Sequence, residues 1–119
     1  MPDTIRELFK KKKAWTKGAY ATNGKSGINV VEFDRLEIAD NQDAVCFCLS
    51  GAVAKVAVSG MHQNVMEAKL AGVIRAMFGK RIRLSHNKSM GNETVIVRFN
   101  DHEDTTIEEI RQVVKVANV

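Results

Sequence analysis

Read along the chain, apolar positions fall into blocks whose spacing predicts helices with a small extended element between them. Ile5, Leu8 and Phe9 share one side of a segment opened by Thr4-x-x-Glu7, the spacing of a capping box, so a first helix is expected from Asp3 or Thr4 to near Lys13. From Ala14 to Gly27 the periodicity stops. Gly18, Gly24 and Gly27 among Thr and Asn residues predict a loop held by Trp15 and Tyr20, its only bulky side chains. Alternation at Ile28, Val30 and Phe33 then predicts a short strand over 28–33.

The block from Asp43 to Ala54 carries no charge after its first residue until Lys55. Two apolar stripes run through it, Val45-Leu49-Ala52-Val56 and Phe47-Gly51-Ala54-Val58, and predict a helix from about 41 to 58 that is capped by Asp40 or Asn41 and buried on more than one face. Gly51 inside it would admit a close neighbour, with Trp15 or Phe99 the candidates. A third helix is expected from about Met61 to Phe78, with Met66, Leu70, Val73 and Met77 on one face and Gly79 as C-cap. Ile82 and Leu84 alternate with polar residues, and Thr94 to Phe99 is rich in β-branched side chains. Together they predict an antiparallel pair joined by a polar loop over 86–92. Thr105-x-x-Glu108 and Thr106-x-x-Glu109 both announce a last helix, lined by Ile107, Ile110, Val113, Val114 and Ala117.

The expected fold is therefore a helix-dominated α+β domain over residues 1–119: four helices packed around the central buried one, plus a small antiparallel β element. A chain of 119 residues suffices for one core without disulfides or a structural metal. No apolar run reaches the ~20 residues that cross a bilayer, and the start, charged and amphipathic, does not read as a signal peptide. Two cysteines one residue apart on a helix would point to different sides, which predicts free thiols and a reducing, cytoplasmic setting.

The net charge of +4 is modest but unevenly placed. Lys10, Lys11, Lys12 and Lys13 form one basic cluster, and Lys80, Arg81, Arg83 and Lys88 another. Such clusters attract phosphates, so nucleic-acid binding through Lys10 to Lys13, Arg81, Arg83 and Lys88 is one reading, set against the commoner one of a solvated surface. A second reading is catalytic. Cys46 or Cys48 near a helix start, with His62, His86 or His102 as base and Asn100 or Asp101 as orienter, would make a cysteine hydrolase. Small cysteines on apolar helices are more often core residues, so no catalytic residue is assigned. No metal site and no cofactor is expected: Cys46-x-Cys48 splays its sulfurs, and no glycine loop has phosphate-cradling spacing.

The chain resembles a family of small uncharacterised proteins encoded by bacteria and their phages. The resemblance runs from Trp15 to about Ala117 and is carried by Trp15-Thr16-Lys17-Gly18-Ala19, Phe47-Cys48-Leu49-Ser50-Gly51-Ala52, and Phe99-Asn100-Asp101 with Thr106-x-x-Glu109. Phe47 and Phe99 stand where relatives often carry tryptophan, and Lys80 to Asn92 departs from the family pattern. The resemblance implies a bacterial or phage origin and a cytoplasmic setting, and it supplies no activity. Physically it would gather Trp15, Lys17, Cys48, Gly51, Asn100 and Asp101 into one cluster over the glycine of the central helix, either a binding pocket or the knot that closes the fold. The leading expectation is a non-enzymatic binding or adaptor module acting through protein contacts with a partner or a second copy.

Overall fold

The computed structural model describes residues 4–18, 21–22, 29–31, 45–82 and 91–119, with 29–31 described by backbone alone. Among them lie five α-helices and three short strands: α1 Ile5–Leu8, β1 Ala21–Thr22, β2 Asn29–Val31, β3 Cys46–Phe47, α2 Leu49–Val56, α3 Gly60–Phe78, α4 Asn92–Asp101 and α5 Ile107–Ala117. The strands form an antiparallel sheet in the order β2-β1-β3. This is a helix-dominated α+β architecture. No helix among the described residues is long and apolar enough to cross a membrane.

The hydroxyl of Thr4 caps α1 by accepting from the Glu7 amide, and Ile5 and Phe9 are buried. The helix ends at Leu8, not near Lys13, and Lys12–Ala14 is a separate 3-10 turn. Four consecutive lysines offer no apolar stripe to hold further turns on the core, and a short helix depends on such packing.

The expected helix over 41–58 is corrected at its start: Cys46 and Phe47 are a strand paired with β1, Cys48 is the N-cap, and the helix begins at Leu49. An unbroken apolar run suits a buried strand as well as a buried helix, and here the run is both, with the change at Cys48. The caps foreseen at Asp40 or Asn41 lie outside the described residues. The interior role holds for α2 itself, whereas Val45 and Val58, expected on its buried stripes, lie beyond its ends and are exposed. Leu49, Ala52 and Val53 are fully buried, and α2 packs against α1, α3 and α4.

The foreseen hairpin is overturned more completely. Asn92–Asp101 is helix α4, and Ile82 sits in the turn after α3; Leu84 and most of the foreseen loop lie outside the described residues. Val95, Ile96, Phe99 and Asn100 are all buried, a helical i, i+1, i+4, i+5 set that packing on α2 and α3 rewards more than β-branching opposes. Phe99 stacks on Phe78 with ring centroids 4.8 Å apart, which fastens α4 to the end of α3. Gly79 does occupy the C-cap of α3, in right-handed helical conformation. The capping box of α5 is complete between Thr106 and Glu109.

Candidate functional site

The side chain of Asn100, in the last turn of α4, is wholly buried and faces the start of α2. Its Oδ1 accepts from Trp15 Nε1 at 2.6 Å and from the Leu49 amide at 3.0 Å, while its Nδ2 donates to the Thr16 carbonyl at 3.1 Å and to Asp101 Oδ1 at 2.9 Å. Two donors on one side and carbonyl and carboxylate acceptors on the other leave only one workable orientation of the amide. Asp101 Oδ1 also accepts from the Gly18 amide at 2.9 Å. Gly18 takes a positive φ of 79° there, a conformation that suits glycine. Lys17 donates from Nζ to the His102 carbonyl at 2.6 Å, and its ammonium lies 5.5 Å from the centre of the Trp15 ring.

Cys48 and Gly51 join the same cluster. As the N-cap of α2, the Cys48 sulfur accepts from the Gly51 amide at 3.2 Å. With Asn100 taking the Leu49 amide, two of the donors that a helix start leaves open are satisfied from within. The structure therefore brings Trp15, Lys17, Cys48, Gly51, Asn100 and Asp101 together, on the side of α2 where its helical register begins. Their polar groups are directed at one another. No buried side-chain nitrogen or oxygen among the described residues lacks a hydrogen bond.

That closure decides the chemistry of the thiol. Burial pushes the Cys48 thiol from an ordinary value of 9.0 to about 11, and the Asp101 carboxylate adds to the rise against the opposing bond from Gly51. A thiol only 4 % exposed and neutral at physiological pH is a poor nucleophile. The described imidazoles are engaged elsewhere: His62 Nδ1 accepts from the Val58 amide and His102 Nδ1 from the Asp104 amide. His86 lies outside the described residues. Cys46 donates from Sγ to the Lys13 carbonyl at 2.8 Å, tying β3 to the 3-10 turn.

The basic clusters fare unequally. Lys10 to Lys13 are exposed, with Lys12 3.4 Å from Glu108. Arg81 is consumed internally: it pairs with Glu109 at 2.7 Å, donates to Thr105 Oγ1 at 3.2 Å, and lies 4.9 Å from the Phe78 ring centre. Arg83 and Lys88 lie outside the described residues. Sequence reasoning missed Arg111, whose Nε and Nη2 donate to the Phe9 and Lys10 carbonyls at 2.9 and 2.8 Å. The available signal was its place beside the apolar stripe of α5. No group of three or more potential metal ligands occurs among the described residues.

Fold and cluster together define a helix-dominated α+β protein in which a buried asparagine ties Trp15 and Thr16 to the start of a central helix. The model of a family of unknown function, DUF6197, matches residues 3–118, and the chain belongs to that family. No curated protein and no solved structure matches it.

Proposed function

We propose that the protein is a non-enzymatic binding module of one domain over residues 1–119, acting through protein contacts, first of all with a second copy of itself. The observation that carries this reading is an exposed apolar strip where α2 gives way to α3: Val58 is 86 % exposed, Met61 79 % and Val65 47 %. Isolated exposed apolar residues are ordinary, but three within eight positions, with Met61 and Val65 one turn apart on α3, favour a contact surface here. At Val65 a notch of about 140 Å³, apolar at Val56 and Met66 and polar at Thr4, His62, Lys69 and Asn118, has room for one side chain. A two-fold pairing of this strip would set Met61 of each copy against the notch of the other, the reciprocal arrangement such a dimer interface uses.

Full burial of a large aliphatic side chain contributes about 1.5–3 kcal/mol, whereas association costs at least about 4 kcal/mol. A two-fold contact buries six such side chains, roughly 9–18 kcal/mol at full burial against a cost of roughly 4–15 kcal/mol, and Val65 is already half-buried, so the margin is small and the contact weak and reversible, as an adaptor requires. Cytoplasmic location in a bacterial or phage-infected cell accords with the resemblance noted above and with two free cysteines.

Chemical-shift mapping over a concentration series tests the reading. Amides of residues 58–66 should shift with concentration in the wild type, and a Met61→Glu/Val65→Glu variant should give concentration-independent spectra. A wild-type spectrum unchanged up to its solubility limit would remove self-association through this strip.

A further inference from the structure

The antiparallel pair α1 and α5 encloses a second surface feature, on residues that neither the buried cluster nor the strip uses. The Ile5 amide donates to the Val119 carbonyl at 3.0 Å, and Arg111 binds the carbonyls of Phe9 and Lys10, so the start of α1 lies at the end of α5 and the reverse. Between them runs a groove of about 400 Å³ lined by Arg6, Phe9, Lys10, Arg111, Val114 and Lys115. Four of these six residues are cations and none is a carboxylate. Arg6 and Lys10 are four residues apart on one wall, as are Arg111 and Lys115 on the other, and the antiparallel arrangement sets Lys10 opposite Arg111 and Arg6 opposite Lys115.

Phe9 and Val114 close the floor at 1 % exposure each, so the apolar surface left in the groove is largely the methylene stems of the long cationic side chains. Like charges around an apolar trough repel one another, an effect that Glu108, which senses Arg111, offsets on one wall only, and an anionic partner relieves it. Arg111 and Lys115, one turn apart on α5, match carboxylates at i, i+4 on a helix, about 6 Å apart, while Arg6 on α1 and Lys10 two residues past its end line the other wall. Single-stranded nucleic acid is the poorer match, because the one aromatic ring in the lining is covered and offers bases no face to stack on.

We propose that the groove between α1 and α5 docks an acidic amphipathic helix of a partner protein, its carboxylates meeting the two cationic walls and an aliphatic side chain lying between them. Arg111, fixed by two backbone carbonyls, presents its remaining N–H donors in a set direction, while Arg6, Lys10 and Lys115 adapt around it. The site is independent of self-association through the α3 strip.

The test uses the full chain and a fluorescent helical peptide of Glu, Leu and Ala, with Glu pairs at i, i+4 flanking a leucine row. Controls are its scrambled sequence, polyglutamate of equal charge and an oligothymidylate of equal charge, all read by anisotropy at low and physiological salt. The patterned peptide should bind about tenfold more tightly than any control, and added salt should weaken it. Arg6→Gln and Lys115→Gln should each weaken it several-fold and Arg6→Glu about tenfold, whereas Lys69→Glu, an exposed change outside the groove, and Met61→Glu should leave it within about twofold. Folding of each variant is checked by circular dichroism. Failure of the patterned peptide to bind, equal binding of the scrambled peptide, tighter binding of oligothymidylate, or an equal loss in Lys69→Glu would each overturn the proposal. Loss of concentration-dependent shifts in Met61→Glu/Val65→Glu with peptide binding intact separates this site from the dimer contact.

Discussion

Asn100 concentrates much of the tertiary order, since one amide joins Trp15 and Thr16, the start of α2 and the end of α4. Its replacement by alanine would strand the Trp15 indole N–H, the Leu49 amide and the Thr16 carbonyl. Each buried polar group left unpaired costs about 1–3 kcal/mol. Asn100→Ala should therefore destabilise the protein by about 3–5 kcal/mol, a large share of the roughly 5–15 kcal/mol available to a small domain. Urea unfolding followed by the fluorescence of Trp15, the only tryptophan in the chain, measures this directly. A loss below about 1 kcal/mol would mean that water replaces the amide without penalty. The sequence placed Asn100 and Asp101 at a connection where such side chains bind backbone groups. It could not say that the partner amide would be Leu49, 51 residues away.

At the scale of elements, the last helix is specified locally and the middle ones are not. Thr106 and Glu109 satisfy each other's backbone donors, and Glu109 also holds Arg81, so the start of α5 is fastened to the turn after α3. Thr106→Ala should cost about 1 kcal/mol through the lost cap. Glu109→Gln keeps an acceptor for the Thr106 amide but loses the charge opposite Arg81, and should cost a comparable amount. Because both changes act on one network, the double variant should fall short of the sum, which a double-mutant cycle by chemical denaturation reads out. Strict additivity would show cap and ion pair to be separate. The start of α2 follows a different logic: a thiol takes the capping place usually held by Ser, Thr, Asp or Asn, and that signal is not visible in a run of apolar letters.

For the whole molecule, the shifted groups bound a pH window of stability. Glu109 has its carboxyl held below the usual range, chiefly by the bond from Arg81, so its contribution is present above the ordinary glutamate value and is lost as pH falls through its folded value. Cys48 acts at the other end. Its thiol is raised, so the unfolded chain releases that proton at lower pH than the folded one, and stability declines from about pH 9.0 towards about 11. A rise of this size corresponds to about 2–3 kcal/mol. Chemical denaturation between pH 8 and 11 should show the decline in the wild type, and Cys48→Ser should flatten it. An alkaline limb unchanged in Cys48→Ser would mean that other groups govern it.

What the sequence determined by itself is what local physics encodes: the caps at Thr4 and Thr106, the extent of α3, the amphipathic α5, a buried segment around Leu49 to Val56, and a family pattern that grouped Trp15, Cys48 and Asn100. Tertiary structure alone decided where that buried segment changes from strand to helix, that Thr94 to Phe99 coils onto α2 and α3, and that Arg81 turns inward to Glu109 while Arg6, Lys10, Arg111 and Lys115 converge. The reason is common to all three. Apolar runs and surface charges take their conformation and partners from neighbours distant in sequence, and no periodicity within the segment itself records which neighbour that is.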